Sequence, residues 1–174
     1  MDNWSQVQHK LVDVETASTI AESWVKDDKK VVFTNGCFDI LHRGHVSYLA
    51  KAANEGDFLI VAINTDKSIK MLNKGNDRPV NDEESRALLI ASLFFVDLVV
   101  LFDDETPLET INKIKPNILI KGADYDSNET NKAGKKYIVG SEEVRKNNGK
   151  VKVIELEDGF STTRIIEKIK GTSK

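Results

Sequence analysis

The chain has 174 residues, which at roughly 150 residues per domain leaves room for one domain with short extensions. Its 40% apolar and 30% charged residues give the composition of a soluble globular protein and exclude a disordered one. The 25 Lys and Arg nearly cancel the 28 Asp and Glu, which excludes a global field able to hold a nucleic-acid backbone or an anionic membrane surface.

The longest apolar stretch, 87–96, is broken by Ser92 and is far below the roughly 20 residues that cross a bilayer. The first residues lack the basic-then-apolar layout of an export signal, and Cys37 is the only cysteine, so no internal disulfide forms. A reducing, cytoplasmic location is the expectation. Residues 1–29 read as a helical extension packed on the edge of a main domain, 30–174, with Ile20 and Trp24 four apart on one helix face.

The main domain alternates short β-branched runs with helical patterns. Val31-Val32-Phe33 reads as the first strand. A helix over 46–54 is expected to stop at Glu55-Gly56, with glycine in a left-handed C-terminal position, before a second strand over 58–63. Asn81 and Glu84 resemble a capping box for the next helix, whose apolar positions include Leu88, Leu89, Ala91 and Leu93. Tyr48, Phe94 and Phe95 fit a helix-packing stripe in the core. A third strand follows over 98–102. Thr106-Pro107-Leu108-Glu109 predicts a helix capped by Thr106, with proline at the first position, ending before Pro116. Strands over 118–120 and 151–156 complete the set. The pattern predicts an α/β fold, a Rossmann-like open parallel five-stranded sheet with helices on both faces. The polar segments 73–81 and 122–136 are long for connectors and read as mobile loops over a site.

In such sheets ligands bind at the carboxyl ends of strands, near the point where strand order reverses. After the first strand comes Thr34-Asn35-Gly36-Cys37-Phe38-Asp39-Ile40-Leu41-His42-Arg43-Gly44-His45. There is no G-x-G-x-x-G and no Gly-Lys-Ser/Thr, so neither common phosphate loop is present, and a dinucleotide oxidoreductase is disfavoured. Instead, His42 and His45 lie three apart on a turn that opens a helix, beside unpaired N–H groups and the positive end of the dipole. Gly44 keeps side-chain bulk away from a ligand phosphate. This equipment suits a polyphosphate undergoing in-line displacement, where positioning and electrostatics do most of the catalysis. Two alternatives remain beside it: a metal site built from Cys37, His42 and His45, which lacks a fourth ligand at usable spacing, and a pair of ordinary polar turn residues. Near the other end, Ser161 is a natural helix cap, and Thr162 and Thr163 would form a second phosphate-binding helix start, or simply a capped terminal helix.

The run from Gly36 to His45 resembles the G-[TC]-F-D-x-x-H-x-G-H signature of the nucleotidyltransferase superfamily related to cytidylyltransferases, and Gly159-Phe160-Ser161-Thr162-Thr163-Arg164 resembles its second, Ser/Thr-rich motif. Together with Asn64-Thr65-Asp66, Arg78-Pro79-Val80, Lys121-Gly122-Ala123-Asp124-Tyr125 and Val139-Gly140, the chain is similar over 31–169 to the adenylyltransferases of ADP-heptose synthesis, in their stand-alone form. The resemblance implies Mg2+-dependent transfer of AMP from ATP to D-glycero-β-D-manno-heptose 1-phosphate, giving ADP-heptose and pyrophosphate for lipopolysaccharide core or surface heptose assembly. It also implies a homodimer or larger homo-oligomer, with ATP and a sugar 1-phosphate as partners and neither nucleic acid nor membrane.

Two features depart from the pattern. The segment 126–136 is longer than is usual in the family, and Leu156 stands where glycerol-phosphate cytidylyltransferases carry an arginine. Transfer of CMP or AMP to another acceptor, such as glycerol 3-phosphate, is the alternative activity, and a non-catalytic nucleotide-binding module is the alternative class.

On this reading His42, His45 and Lys74 are catalytic. Asn35, Gly36, Cys37, Phe38, Asp39, Gly44, Lys121, Ser161, Thr162 and Thr163 bind the nucleotide. Asn64, Asp66, Arg78 and Asp124 meet the acceptor, and no dedicated protein metal site is expected. Asp39 either fixes the turn or meets Mg2+, turn chemistry is the plain alternative for Asp66 and Asp124, and Arg86 is either a helix-surface ion-pair partner or a ligand contact.

Overall fold

The structure is a computed structural model and describes residues 2–72 and 78–171. Its strands are β1 (Val31–Gly36), β2 (Phe58–Asn64), β3 (Leu98–Phe102), β4 (Ile118–Gly122) and β5 (Lys150–Ile154). They form one sheet in the order β3-β2-β1-β4-β5, with every neighbouring pair parallel. The helices among the described residues are α1 (Asn3–His9), α2 (Val14–Lys26), α3 (Arg43–Ala53), α4 (Asp66–Met71), α5 (Glu83–Ala91), α6 (Leu108–Ile114), α7 (Ser141–Lys146) and α8 (Thr162–Ile169). None of them is long and apolar enough to cross a membrane.

Side chains alternate across the strands, so each face of the sheet gathers its own core. Val32, Leu59, Val61 and Ile63 pack with Leu49 of α3 and Ile90 of α5 on one face. Val31, Phe33, Ile60 and Leu119 pack with Ala17 and Ala21 of α2, Ile111 of α6 and Val144 of α7 on the other. The expected doubly covered parallel sheet is therefore present. Strand order reverses at β1, which has β2 on one side and β4 on the other, and this places the crevice above the β1 and β4 ends. The β1 ladder continues through Asn35 and Gly36, paired with Ala62 and Ile63, which carries polar residues past the apolar run to the carboxyl edge.

Several local expectations are corrected. The N-terminal region holds two helices, and between them Lys10 and Val12 bond along the outer edge of β3: the Val99 N–H donates to the Lys10 carbonyl at 2.8 Å, and the Val12 N–H to the Val99 carbonyl at 3.1 Å. Trp24 stacks on Phe58 with centroids 4.0 Å apart. Helix α3 starts at Arg43, three residues before the expected position, because His42 caps it. Gly56 is not left-handed; a Cβ there would lie 2.6 Å from Val32 Cγ2 and 2.7 Å from the Lys30 carbonyl, so close packing requires the glycine. Asp82, not Asn81, caps α5, accepting from the Ser85 N–H. Pro107 takes the cap position of α6 without a side-chain bond, and Lys115, left-handed at φ 51°, ends that helix before Pro116. Phe94 is no core residue, being 90% exposed just beyond α5.

Candidate active site

The turn after β1 builds one wall of the site. Phe38 adopts a left-handed conformation, φ 46°, which folds its ring back over Gly36, where a Cβ would lie 3.0 Å from the ring. The same ring meets His45 edge-on, with centroids 5.1 Å apart. His42 has extended backbone, and its Nδ1 accepts from the His45 N–H at 3.3 Å. With Nδ1 accepting, the neutral ring carries its proton on Nε2. The two imidazoles stack at 3.7 Å and 17°. Burial lowers the His42 pKa, and burial followed by the nearby His42 lowers that of His45 to about 4. At neutral pH both rings are therefore uncharged and offer N–H donors.

The start of α8 builds the facing wall. Ser161 caps this helix, its Oγ accepting from the Arg164 N–H at 3.2 Å. Arg43 ties the two walls together: its Nε lies 2.7 Å from Glu157 Oε2 and its guanidinium sits 5.2 Å from the Phe160 ring centre. Residue 44 must be small for this approach, since a Cβ on Gly44 would lie 3.1 Å from both the His42 ring and Phe160 Cβ. The cavity between the walls measures about 530 Å³ and is lined by Asn35, Gly36, Cys37, Phe38, His42, Gly44, His45, Arg78, Lys121, Asp124, Ser161, Thr162 and Thr163. Most of the residues expected from the sequence to bind nucleotide thus face one space.

A second cavity of about 390 Å³ adjoins it and shares Asn35, Gly36, Cys37, Lys121 and Tyr125 as a common wall. Lys121 spans that wall, its Nζ donating to the Asn35 carbonyl at 3.2 Å and to Oδ1 at 3.0 Å and lying 4.9 Å from the Tyr125 ring centre. Asn64 faces this second cavity, with its Nδ2 donating to Ser68 Oγ at 2.9 Å and its Oδ1 3.6 Å from the Cys37 thiol.

Other expected residues lie elsewhere. Asp39 is 2% exposed and lines neither cavity. Its Oδ1 accepts from the Val80 and Asn81 N–H groups at 2.7 and 3.1 Å, and its Oδ2 lies 2.8 Å from Arg78 Nε. The carboxylate thus fixes the far end of the 73–81 segment and steadies Arg78 at the cavity. Asp66 also lines neither cavity and pairs with Arg86 Nη2 at 2.7 Å. Lys74 lies outside the described residues. Among the described residues no group of three or more His, Cys, Asp or Glu is arranged to hold a metal ion.

Arg86 is an ion-pair partner, of Asp66, but not on the helix surface, since it is fully buried. Its Nη1 donates to the Cys37 and Asn64 carbonyls at 2.7 and 2.8 Å, and its Nε to the Asn81 carbonyl at 3.0 Å. One guanidinium therefore holds the ends of β1 and β2 and the segment entering α5. The available signal was spacing, because Arg86 stands four before Ile90 on the buried stripe of α5. Tyr48, read as core, is buried but also reaches the cavity, bonding Thr34 Oγ1 at 2.7 Å and the Ile120 carbonyl at 3.2 Å.

The family model described as cytidylyltransferase-like matches residues 33–168, a span that holds both helix starts and the whole sheet beyond its first residues. The chain belongs to the cytidylyltransferase-like family. Its relatives include the Bifunctional protein HldE of Gluconobacter oxydans, 53% identical over 156 residues that make up 90% of this chain and 31% of that protein. A Campylobacter jejuni protein of the same name is 54% identical over 83% of this chain and 29% of its own length. The chain thus spans about a third of the length of these curated relatives. Among solved structures, the lipopolysaccharide core biosynthesis protein of Thermoplasma volcanium is 30% identical with a TM-score of 0.57, covering 74% of this chain and 97% of that one. A Francisella tularensis pantoate-beta-alanine ligase shares the fold, with a TM-score of 0.60 at 18% identity over 92% of this chain and 76% of its own. The cytidylyltransferase-like assignment agrees with a sheet whose ligand crevice opens at the ends of β1 and β4.

Proposed function

We propose that this chain is an adenylyltransferase that moves AMP from ATP to D-glycero-β-D-manno-heptose 1-phosphate, giving ADP-heptose and pyrophosphate, for lipopolysaccharide core or other surface heptose. The observation that carries the reading is the stacked His42 and His45 pair facing the Ser161-capped helix start across one cavity. The motif resemblance and the similarity to the HldE proteins and to the Thermoplasma volcanium protein support the choice of substrate.

The acceptor's phosphate oxygen, already ionised at neutral pH, attacks the α-phosphorus. The bond from that phosphorus to the bridging oxygen breaks, and pyrophosphate leaves with the electron pair. No general base is needed. His42 and His45 donate N–H groups to the α- and β-phosphates as charge builds, in a pocket where desolvation strengthens each bond. The α8 start, with the Ser161 and Thr163 hydroxyls, cradles the outgoing phosphates, and Arg78 neutralises them. Mg2+ would arrive on the triphosphate and supply charge neutralisation there. The oxygen donors of Asp124, Ser161 and Thr163 suit a hydrated ion carried by substrate better than an all-protein cage. A homodimer or larger assembly in the cytoplasm completes the proposal.

The deciding experiment is pyrophosphate release with ATP, CTP, GTP or UTP and Mg2+, using heptose 1-phosphate or glycerol 3-phosphate as acceptor. Release is expected with ATP and heptose 1-phosphate and is lost in His45→Ala. Release with CTP and glycerol 3-phosphate would replace this reading with a cytidylyl one, and ATP binding without release on either acceptor would remove it.

A further inference from the structure

The second cavity is lined by neither histidine and by no residue of the α8 start. His42, His45 and the Ser161 to Thr163 helix start all lie in the first, and the two spaces meet only along Asn35, Gly36, Cys37, Lys121 and Tyr125. In-line displacement needs the incoming phosphate on the side of the α-phosphorus away from the leaving group. With the triphosphate held in the first cavity, the adjoining second cavity is the space left for that phosphate. Its outer wall comes from the segment after β4, which contributes Lys132, Gly134, Lys135 and Tyr137.

This segment is a built loop. The Asp126 N–H donates to the Lys136 carbonyl at 3.0 Å and closes its base, while the Gly134 N–H donates to Asn131 at 2.8 Å and the Tyr137 N–H to Gly134 at 3.0 Å. Arg145 bonds the Ser127 carbonyl, and Lys132 is fastened to Glu142 at 3.0 Å. Among the described residues no ion pair engages Lys135. One ammonium is thus anchored as a strut and its neighbour is presented at the cavity rim.

We propose that the 126–137 loop sets acceptor specificity, with Lys135 binding the phosphate of a phosphorylated sugar in the second cavity and Lys121 receiving the same group from the shared wall. The inference rests on the adenylyltransferase reading and deepens it. A sugar phosphate carries close to two negative charges, and with Lys132 paired to Glu142, Lys121 and Lys135 still outnumber the single lining carboxylate, Glu105. Thr106 lines the same cavity and supplies a polar group for sugar hydroxyls.

The test compares wild type, Lys135→Ala, Lys135→Arg and Lys132→Ala by KM for each substrate, and by calorimetric binding of heptose 1-phosphate to enzyme loaded with a non-hydrolysable ATP analogue. Lys135→Ala is expected to weaken acceptor binding and raise acceptor KM about tenfold, the usual scale for one charge-assisted contact in a partly open site. ATP affinity and melting temperature stay unchanged, and Lys135→Arg restores most of the loss. Lys132→Ala, which frees the loop from Glu142, raises acceptor KM less. Wild-type turnover with Lys135→Ala indistinguishable in acceptor KM overturns the loop assignment and leaves the activity standing. A wild-type enzyme that binds the ATP analogue but no heptose 1-phosphate overturns both.

Discussion

At the scale of single residues, His45 is buried beside the stacked His42, and burial first and then that neighbour disfavour its charged form. A neutral donor suits a step in which negative charge grows on phosphate, because the bond strengthens as the barrier is climbed. His45→Ala should cut kcat by about a hundredfold or more while leaving KM for ATP within a few-fold; a change confined to KM would make the ring a binding group only. His42 has a second duty as the α3 cap, so His42→Ala should also cost about 1 kcal/mol of stability. His42→Asn restores the cap without restoring rate, which melting curves and steady-state kinetics separate.

The depressed His45 pKa has a definite sign. The folded value, about 4, lies below the unfolded value near 6.5. The stability held by the neutral ring is therefore present above about pH 6.5 and lost as pH falls from there through about 4. A bound triphosphate favours the imidazolium, so ATP binding near pH 5.5 should take up protons. Calorimetry in two buffers of different ionisation heat checks this, and identical heats would refute it.

Residues of this kind divide sharply in how well sequence exposes them. The spacing of His42, Gly44 and His45 pointed to a candidate phosphate site because it is local and tied to one helix start. The duty of Asp39 was hidden, since its partners Val80 and Asn81 lie some forty residues on and only the folded chain brings them together.

At the scale of elements, the turn after β1 is held by contacts between separate segments. Arg86 is the strongest case, one buried guanidinium serving Cys37, Asn64, Asn81 and Asp66. Its removal leaves three carbonyls and a carboxylate without their donor. Arg86→Ala should destabilise the fold by about 3 kcal/mol or more, and Arg86→Lys should recover little, because an ammonium cannot reproduce a planar fork of donors. Denaturant titration measures both; a loss below about 1 kcal/mol for the alanine variant would contradict this account. The exposed Arg43–Glu157 pair is 71% and 26% accessible at its two side chains and contributes little to stability, so its value lies in tying the start of α3 to the segment that leads into α8.

Strands were legible as elements because β-branched runs have few other uses, while the starts of α3, α5 and α6 were misplaced and that of α8, at Ser161, was not. Asn81, Asp82 and Thr106 are all competent caps in sequence, and tertiary demand chose among them. Asn81 was drawn to the Asp39 carbonyl, its Nδ2 donating at 2.7 Å, which left the cap to Asp82.

At the scale of the whole molecule, alternation of strands and helices specified a parallel sheet, but not which strands would be neighbours. That order follows from right-handed crossovers and from which helices can share a face, and neither is written in any one segment. The outer edge of β3 is likewise a long-range matter. Residues 10–12 satisfy Val99 there, and Lys10 Nζ reaches the Leu93 carbonyl at 3.0 Å. Removing residues 1–12 should expose an unpaired apolar edge and promote association. Light scattering at increasing protein concentration checks this, and a truncated chain that stays in the same state as the full chain would count against it.

On the proposed activity, the wall shared by the two cavities bears on how the reaction ends. A nucleoside diphosphate sugar joins in one covalent piece what enters as two molecules, so it alone fills both spaces without the entropy of holding two ligands together. The finished molecule should be held more tightly than either of its halves, and should displace the ATP analogue and the sugar phosphate alike. In that case escape of the nucleotide sugar, more than formation of its phosphoanhydride bond, governs how fast the enzyme is ready for the next cycle.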